Sequence, residues 1–482
     1  MNANKLFARK LIADIVAAEE GAQPLAKVLG PFSITAMGVG AIIGAGIFVL
    51  TGTAAALYAG PALTISFVLA AIACALVGLC YAELSTLLPV QGSTYTYTYA
   101  TMGELVAWMI GWDLILEYGV GVGAVASGWS AYLGSLLKTA GIALPAEFTA
   151  ATGHAIVRAD GSAGAAIADL PAAAVVLVIT ALLVLGTRES VRLNNVIVAV
   201  KLIVVLAFIV VGAAYVKTEN WQPYIPANTG EFGHFGISGI LRGASVVFFA
   251  YIGFDAVSNC AREASRPQRD MPIGILGSLA LSTLLYIAVA AVLTGLVAYP
   301  KLNVADPIVE GVRATGLGWL LLLINIGALA GLTTVILVLL YGQSRIFSTI
   351  ASDGLLPPLF SRVHPRFGTP WISQTIIGVG VAVVAATLPI DALGRLVGAG
   401  TLFAFILVCI SVIYLRRAEL ADLLLLWSPP FAIDGEPVSL SAVRRRLRID
   451  SYLVDRRRPC PASPSSWHSS GAAGSSPPSS PS

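Results

Sequence analysis

Apolar stretches of about twenty residues recur along this chain, and they constrain its fold more than any other feature. Ten can be read, at 32–57, 63–84, 99–137, 172–185, 193–214, 237–260, 274–297, 318–341, 372–388 and 393–415. A run of that length matches the hydrocarbon core of a bilayer as an α-helix, while a membrane β-barrel requires short alternating segments. Only 11% of the 482 residues are charged and 57% are hydrophobic. Soluble domains carry roughly 25% charged residues, so this chain lacks the polar surface to fold in water. The composition therefore gives an all-α integral membrane protein.

Basic residues orient it. Lys5, Arg9, Lys10 and Lys27 precede the first span. On alternate connections follow Arg188 and Arg192, then Arg262, Arg266 and Arg269, then Arg345, Arg362 and Arg366, then Arg416 and Arg417. The opposite connections hold only Lys138, Arg158, Lys217, Lys301 and Arg313. The N-terminus is expected in the cytoplasm, in a multi-pass protein of the cytoplasmic membrane. Residues 1–31 are polar, unlike a cleavable signal peptide. A net charge of +3, placed mostly beside the membrane, argues for lipid as a neighbour and against nucleic acid.

Two of the spans carry a weak point. Gly44-Ala45-Gly46 lies inside the first, and Phe249-Ala250-Tyr251-Ile252-Gly253-Phe254 inside the sixth. Each begins a set of five spans, at 32–214 and 237–415, as an inverted repeat does. A helix broken at Gly44-Ala45-Gly46 exposes amides and the positive end of a dipole, which suits a carboxylate. A break near Phe249 exposes carbonyls, which suit an ammonium. Together they describe a clamp for an α-amino acid backbone, with Phe249, Tyr251 and Phe254 as walls or gates. The competing reading is close helix packing through small residues.

Lys201 stands mid-span among apolar neighbours and must pair, lose its proton or face a cavity. A lysine cycling between charged and neutral forms can couple proton movement to transport. Asp255 follows the second break and Glu117 lies in the third span; either can attract a basic substrate side chain or pair internally. Asp113, Arg242, Asn194, Asn195 and Asn325 carry no assigned chemistry. Tyr95, Tyr97 and Tyr99 alternate as in an interface belt. Residues 262–270 and 345–355 read as charged connections, with ion-paired inner gates or ordinary topology signals as alternatives. Cys74, Cys80, Cys260 and Cys409 read as buried small hydrophobes. The scattered histidines suggest no metal site, and no cofactor is expected.

Several stretches together resemble one family. They are GVGAIIGAGIFVLTG from Gly38, YAEL from Tyr81, QGSTYTYTYATMGE from Gln91, FFAYIGFDAVS from Phe248, RPQRDMPIGI from Arg266, YGQSRIF from Tyr341 and DGLLP from Asp353. Across residues 27–417 the chain resembles bacterial members of the amino acid–polyamine–organocation transporter superfamily, in particular its cationic amino acid transporter branch. The resemblance implies a LeuT-like five-plus-five fold with broken first and sixth helices. It implies that Gly44, Ala45 and Gly46, with Ile43, hold a substrate carboxylate, and that Phe249, Ala250 and Ile252 carbonyls hold its amine. Phe254, Asp255 and Glu117 complete the candidate substrate site, and Lys201 takes the place of sodium in proton-coupled members. One departure is Arg262-Glu263, where the family usually has two adjacent acids. After Arg417 the pattern stops: residues 416–482 read as a divergent, disordered tail in place of two further helices, left by a frameshift or truncated gene model or, alternatively, a genuine tail that binds anionic lipid.

The expected function is secondary active transport of amino acids, with protons as coupling ion and alternating access as mechanism. A channel and an amino acid sensor or transport-inactive homologue are the rival classes. No nucleophile–base pair suggests an enzyme. Cationic and neutral substrates both stay open, as does the oligomeric state.

Overall fold

The computed structural model describes residues 10, 29–88, 93–158, 162–185, 190–261 and 264–427, with the side chains of 190–195, 259–260, 391 and 418–427 excepted. Lys5, Arg9, Lys27, Arg188, Arg262, Glu263 and the tail from 428 lie outside the described residues. So do the side chains of Arg192, Asn194, Asn195 and Cys260.

The architecture is α-helical apart from one hairpin. Helices are α1 (Pro31–Ile42), α2 (Thr51–Ala54), α3 (Leu63–Leu87), α4 (Ser93–Thr101), α5 (Glu104–Thr139), α6 (Leu170–Leu185) and α7 (Ser190–Ala213). They continue with α8 (Gly236–Val247), α9 (Pro267–Leu296), α10 (Pro307–Arg313), α11 (Gly318–Ser352), α12 (Trp371–Thr387) and α13 (Ile390–Trp427). Strands β1 (Ala155–Val157) and β2 (Ala163–Ala165) pair antiparallel, Ile156 opposite Gly164. Among the described residues, seven helical runs are long and apolar enough to cross a membrane, and α1, α6 and α12 are shorter apolar helices. The apolar faces they turn outward are extensive: Ile72, Leu76, Val210, Leu284 and Ile406 are all exposed, as a lipid-facing surface requires.

The packing falls into two groups. The first contains α1, α3, α8 and α9, with α9 against both α1 and α3, and α3 against α8. The second contains α5, α6, α11 and α12, with α5 against α11 and α6 against α12. α7 touches both groups through α9 and α11, and α13 does so through α3 and α5.

Three boundaries differ from the sequence reading. The long third span is two helices, because Gly103 adopts φ +98, a value open to glycine and costly for other residues. Consequently Tyr95 and Tyr97 do not form an interface belt. They lie on α4, a helix, where alternation does not define a face, and both are buried. Residues 262–270, read as a charged connection, turn helical before their end: α9 starts at Pro267, where a missing N–H costs nothing, and passes through Pro272. Residues 345–347 belong to α11, which continues to Ser352 before a turn at Gly354 with φ +79.

Candidate functional site

Both predicted breaks are present, and they face one another. α1 ends at Ile42, and Ile43 turns the backbone extended at ψ 100. The chain re-enters helix as a wide π turn at Gly46–Leu50, a rare winding that recurs at functional sites. Gly44 accepts from the N–H of Ile47 and of Phe48, both at 3.2 Å. The amides of Gly44, Ala45 and Gly46 themselves find no acceptor among the described residues. In the sixth span α8 gives way to a 3₁₀ turn at Phe248–Tyr251, then to extended Ile252 at ψ 137. Gly253 follows at φ +110.

Small residues allow the contact between the breaks. A Cβ on Gly46 would sit 2.2 Å from Cα of Ala250, and one on Gly253 would sit 2.9 Å from the carbonyl oxygen of Ala41. Ala250 and Gly253 thus press against opposite sides of the first break. Gly44 lies under Val335 of α11, so the second helix group closes over the same point.

The carbonyls that α1 leaves at its C-terminal end need donors. Lys201, fully buried on α7, supplies two: its Nζ donates to the carbonyl of Gly40 and, at 3.0 Å, to that of Ile43. The negative end of the α1 dipole favours a cation there. Lys201 is therefore paired and fixed at the break.

The two carboxylates proposed for the site are buried, each 1% exposed, and both are engaged. Asp255 accepts from the hydroxyl of Tyr118 and from the Gly253 amide at 3.2 Å. Glu117, beside Tyr118 on α5, meets Thr401 of α13 at 2.9 Å through Oε1, while its Oε2 has no partner among the described residues. Thr401 is also 2.9 Å from the Val397 carbonyl. Its single proton serves both contacts only when Glu117 itself donates. Asp113, one turn earlier, likewise faces α13, against Gly400.

The aromatic residues divide. Phe254 joins Tyr81, with centroids 5.6 Å apart, and Phe405, at 5.2 Å. Phe249 is buried and its carbonyl accepts from Ile252 at 3.2 Å. Tyr251 turns away to donate to the Phe67 carbonyl at 3.1 Å, so it is packing rather than a wall.

Side-chain contacts tie the elements on either side of the breaks. On one face Lys10 pairs with Asp353 at 2.7 Å, and Tyr95 donates to the same carboxylate at 3.0 Å. Arg416 there grips Glu83 with two bonds, at 2.9 and 2.6 Å. On the other face Tyr132 donates to the Phe48 carbonyl at 2.7 Å. Arg313 of α10 donates to Ser135 and Glu310, both at 3.1 Å. Sequence reading missed Tyr118, Tyr132, Tyr286 and Thr401. Their signal was a hydroxyl inside an apolar span, which must find a partner.

Known proteins share this sequence. A family model described as amino acid permease matches residues 29–431, extending past Arg417. The methylthioribose transporter of Bacillus subtilis (strain 168) is 46% identical over 414 residues, 86% of each chain. The branched-chain amino acid permease BcaP of the same organism is 46% identical over 415 residues, again 86% of each. The vacuolar cationic amino acid transporter 4 of Arabidopsis thaliana is 35% identical over 94% of this chain and 72% of its own length. The chain therefore belongs to the amino acid permease family: it is a multi-pass membrane transporter, not an enzyme.

Proposed function

We propose that the protein is a proton-coupled secondary transporter that carries neutral amino acids by alternating access. The observation that carries this reading is the apposition of two broken helices, one offering unpartnered amides at Gly44, Ala45 and Gly46, the other presenting the carbonyl of Ile252 beside those of Phe249 and Ala250, which accept from the Ile252 amide and the Tyr286 hydroxyl and each keep a second lone pair. The spacing of carboxylate and ammonium on an α-amino acid suits such a pair, and no side-chain charge is needed.

Neutral substrates are favoured because Asp255 and Glu117 already have partners. This differs from the cationic specificity that the branch resemblance suggests. The name of the branched-chain permease is in keeping with a neutral solute. Lys201 supports the proton part. Its ammonium holds the Gly40 and Ile43 carbonyls at the α1 side of the first break, and loss of its proton would remove the charge that holds them. The two packed groups support alternating access, with one group moving against the other about α7 and α13 as inner and outer ties open in turn. The charge bias supports a cytoplasmic N-terminus, and with it a cytoplasmic Lys10–Asp353 pair.

Uptake into proteoliposomes tests this, using neutral and cationic amino acids and methylthioribose, with and without an inward proton gradient. The expected result is saturable uptake of neutral amino acids that the gradient drives above equilibrium. Binding without flux marks a sensor, and unsaturable flux marks a channel. Uptake indifferent to the gradient removes the proton from the account.

A further inference from the structure

Tyr286 joins the two breaks through contacts that the transport reading does not yet use. It lies midway along α9, fully buried. Its ring rests on Phe67, with centroids 5.3 Å apart, and on Tyr251, at 5.5 Å. Its hydroxyl is 2.8 Å from the carbonyl of Ile42 and 2.8 Å from that of Ala250. These carbonyls belong to different broken helices: Ile42 ends α1, and Ala250 is within the second break.

The hydroxyl holds one proton for two acceptors, so the two contacts form a shared bond. Elsewhere at the α1 end, Gly40 and Ile43 are served by Lys201, and Ala41 is covered by Gly253. Tyr286 therefore completes the first break and also occupies a carbonyl that the proposed function gives to substrate.

We propose that Tyr286 is a positioning residue that clasps the two breaks when no substrate is bound and yields the Ala250 carbonyl to the substrate ammonium. When the ammonium arrives, the proton of Tyr286 goes wholly to Ile42. The clasp belongs to the empty carrier, and it stabilises the form through which that carrier resets. This inference rests on the transport reading given above.

Tyr286→Phe removes the hydroxyl and keeps the ring. Two uptake modes separate its effects. Net uptake requires the empty carrier to reset, whereas exchange of internal for external amino acid does not. In the variant, net uptake should fall at least fivefold while exchange stays within twofold of the unaltered protein. Amino acid binding should tighten about fivefold, as expected when a competing neutral hydrogen bond is removed. Phe67→Leu trims the ring beneath Tyr286 and leaves the hydroxyl in place. As a packing control, it should leave the ratio of net uptake to exchange unchanged.

Equal loss of net uptake and exchange in Tyr286→Phe, weaker binding, or the same ratio change in Phe67→Leu would overturn the clasp. So would failure of Tyr286→Phe to fold, since the hydroxyl would then serve the fold. Absence of both uptake and binding in the unaltered protein would instead overturn the transport reading.

Discussion

Gly46→Ala is the smallest change that should disable the site, and its size can be worked from the structure. The added methyl would lie 2.2 Å from both Cα and Cβ of Ala250. Ordinary carbon contacts are roughly 3.5–4.0 Å, so the two breaks must part by more than about 1 Å. The obstruction is backbone, which cannot rotate away as a side chain can. Overpacking of a filled core costs about 1–3 kcal/mol. On the transport reading proposed above, the form in which the breaks touch is the closed one, and the cost falls on it. A penalty of that size lowers the closed population roughly 5- to 150-fold, and the maximal uptake rate should fall with it. The assay is initial-rate uptake in proteoliposomes, normalised to folded protein by size-exclusion chromatography. Gly342→Ala is the comparison, because a Cβ there meets open space and alanine favours the helix. Equal rates in the two variants would refute the argument that contact between the breaks closes the carrier.

Other outcomes are expected. Lys201→Met strands the Gly40 and Ile43 carbonyls, at about 1–3 kcal/mol each. It should lower the melting temperature and abolish gradient-driven accumulation; accumulation at the normal level would remove Lys201 from coupling. Glu117→Gln should keep both Thr401 contacts, since an amide donates as a neutral carboxyl does, and melting should shift by less than about 1 kcal/mol; a large destabilisation would mean the ionised form is required. Asp169, just outside α6, is pushed up to about 6 by burial, against bonds from Ser130 and the Ala172 amide. Because the folded state binds this proton more tightly, stability should rise by about 1 kcal/mol as pH falls from 7 to 5. Asp169→Asn should flatten that slope in thermal melts, and an unchanged slope would assign it elsewhere.

The breaks were legible because glycine inside an apolar span is a local signal, and bilayer thickness fixes span length. Lys201 was legible because an ammonium among Val and Leu demands an explanation. What remained hidden depends on partners far apart in sequence. Nothing near Glu117 points to Thr401, and nothing near Tyr286 names Ile42 or Ala250. The tyrosines of α4 misled for a related reason. Their alternation has the period of a strand, but helix packing against α5 and α13 decided the structure. The Asp353 carboxylate was read as part of a connection, whereas it ties Lys10 and Tyr95 together.

The central claim is that backbone groups at the two breaks hold the substrate. An electron cryomicroscopy structure of the carrier loaded with a transported neutral amino acid tests it most directly. The account predicts the carboxylate on the Gly44, Ala45 and Gly46 amides, and the ammonium on the Ala250 carbonyl with Tyr286 moved to Ile42 alone. A substrate held instead by the Glu117 or Asp255 carboxylates, with the breaks still in contact through Gly46 and Ala250, would contradict it.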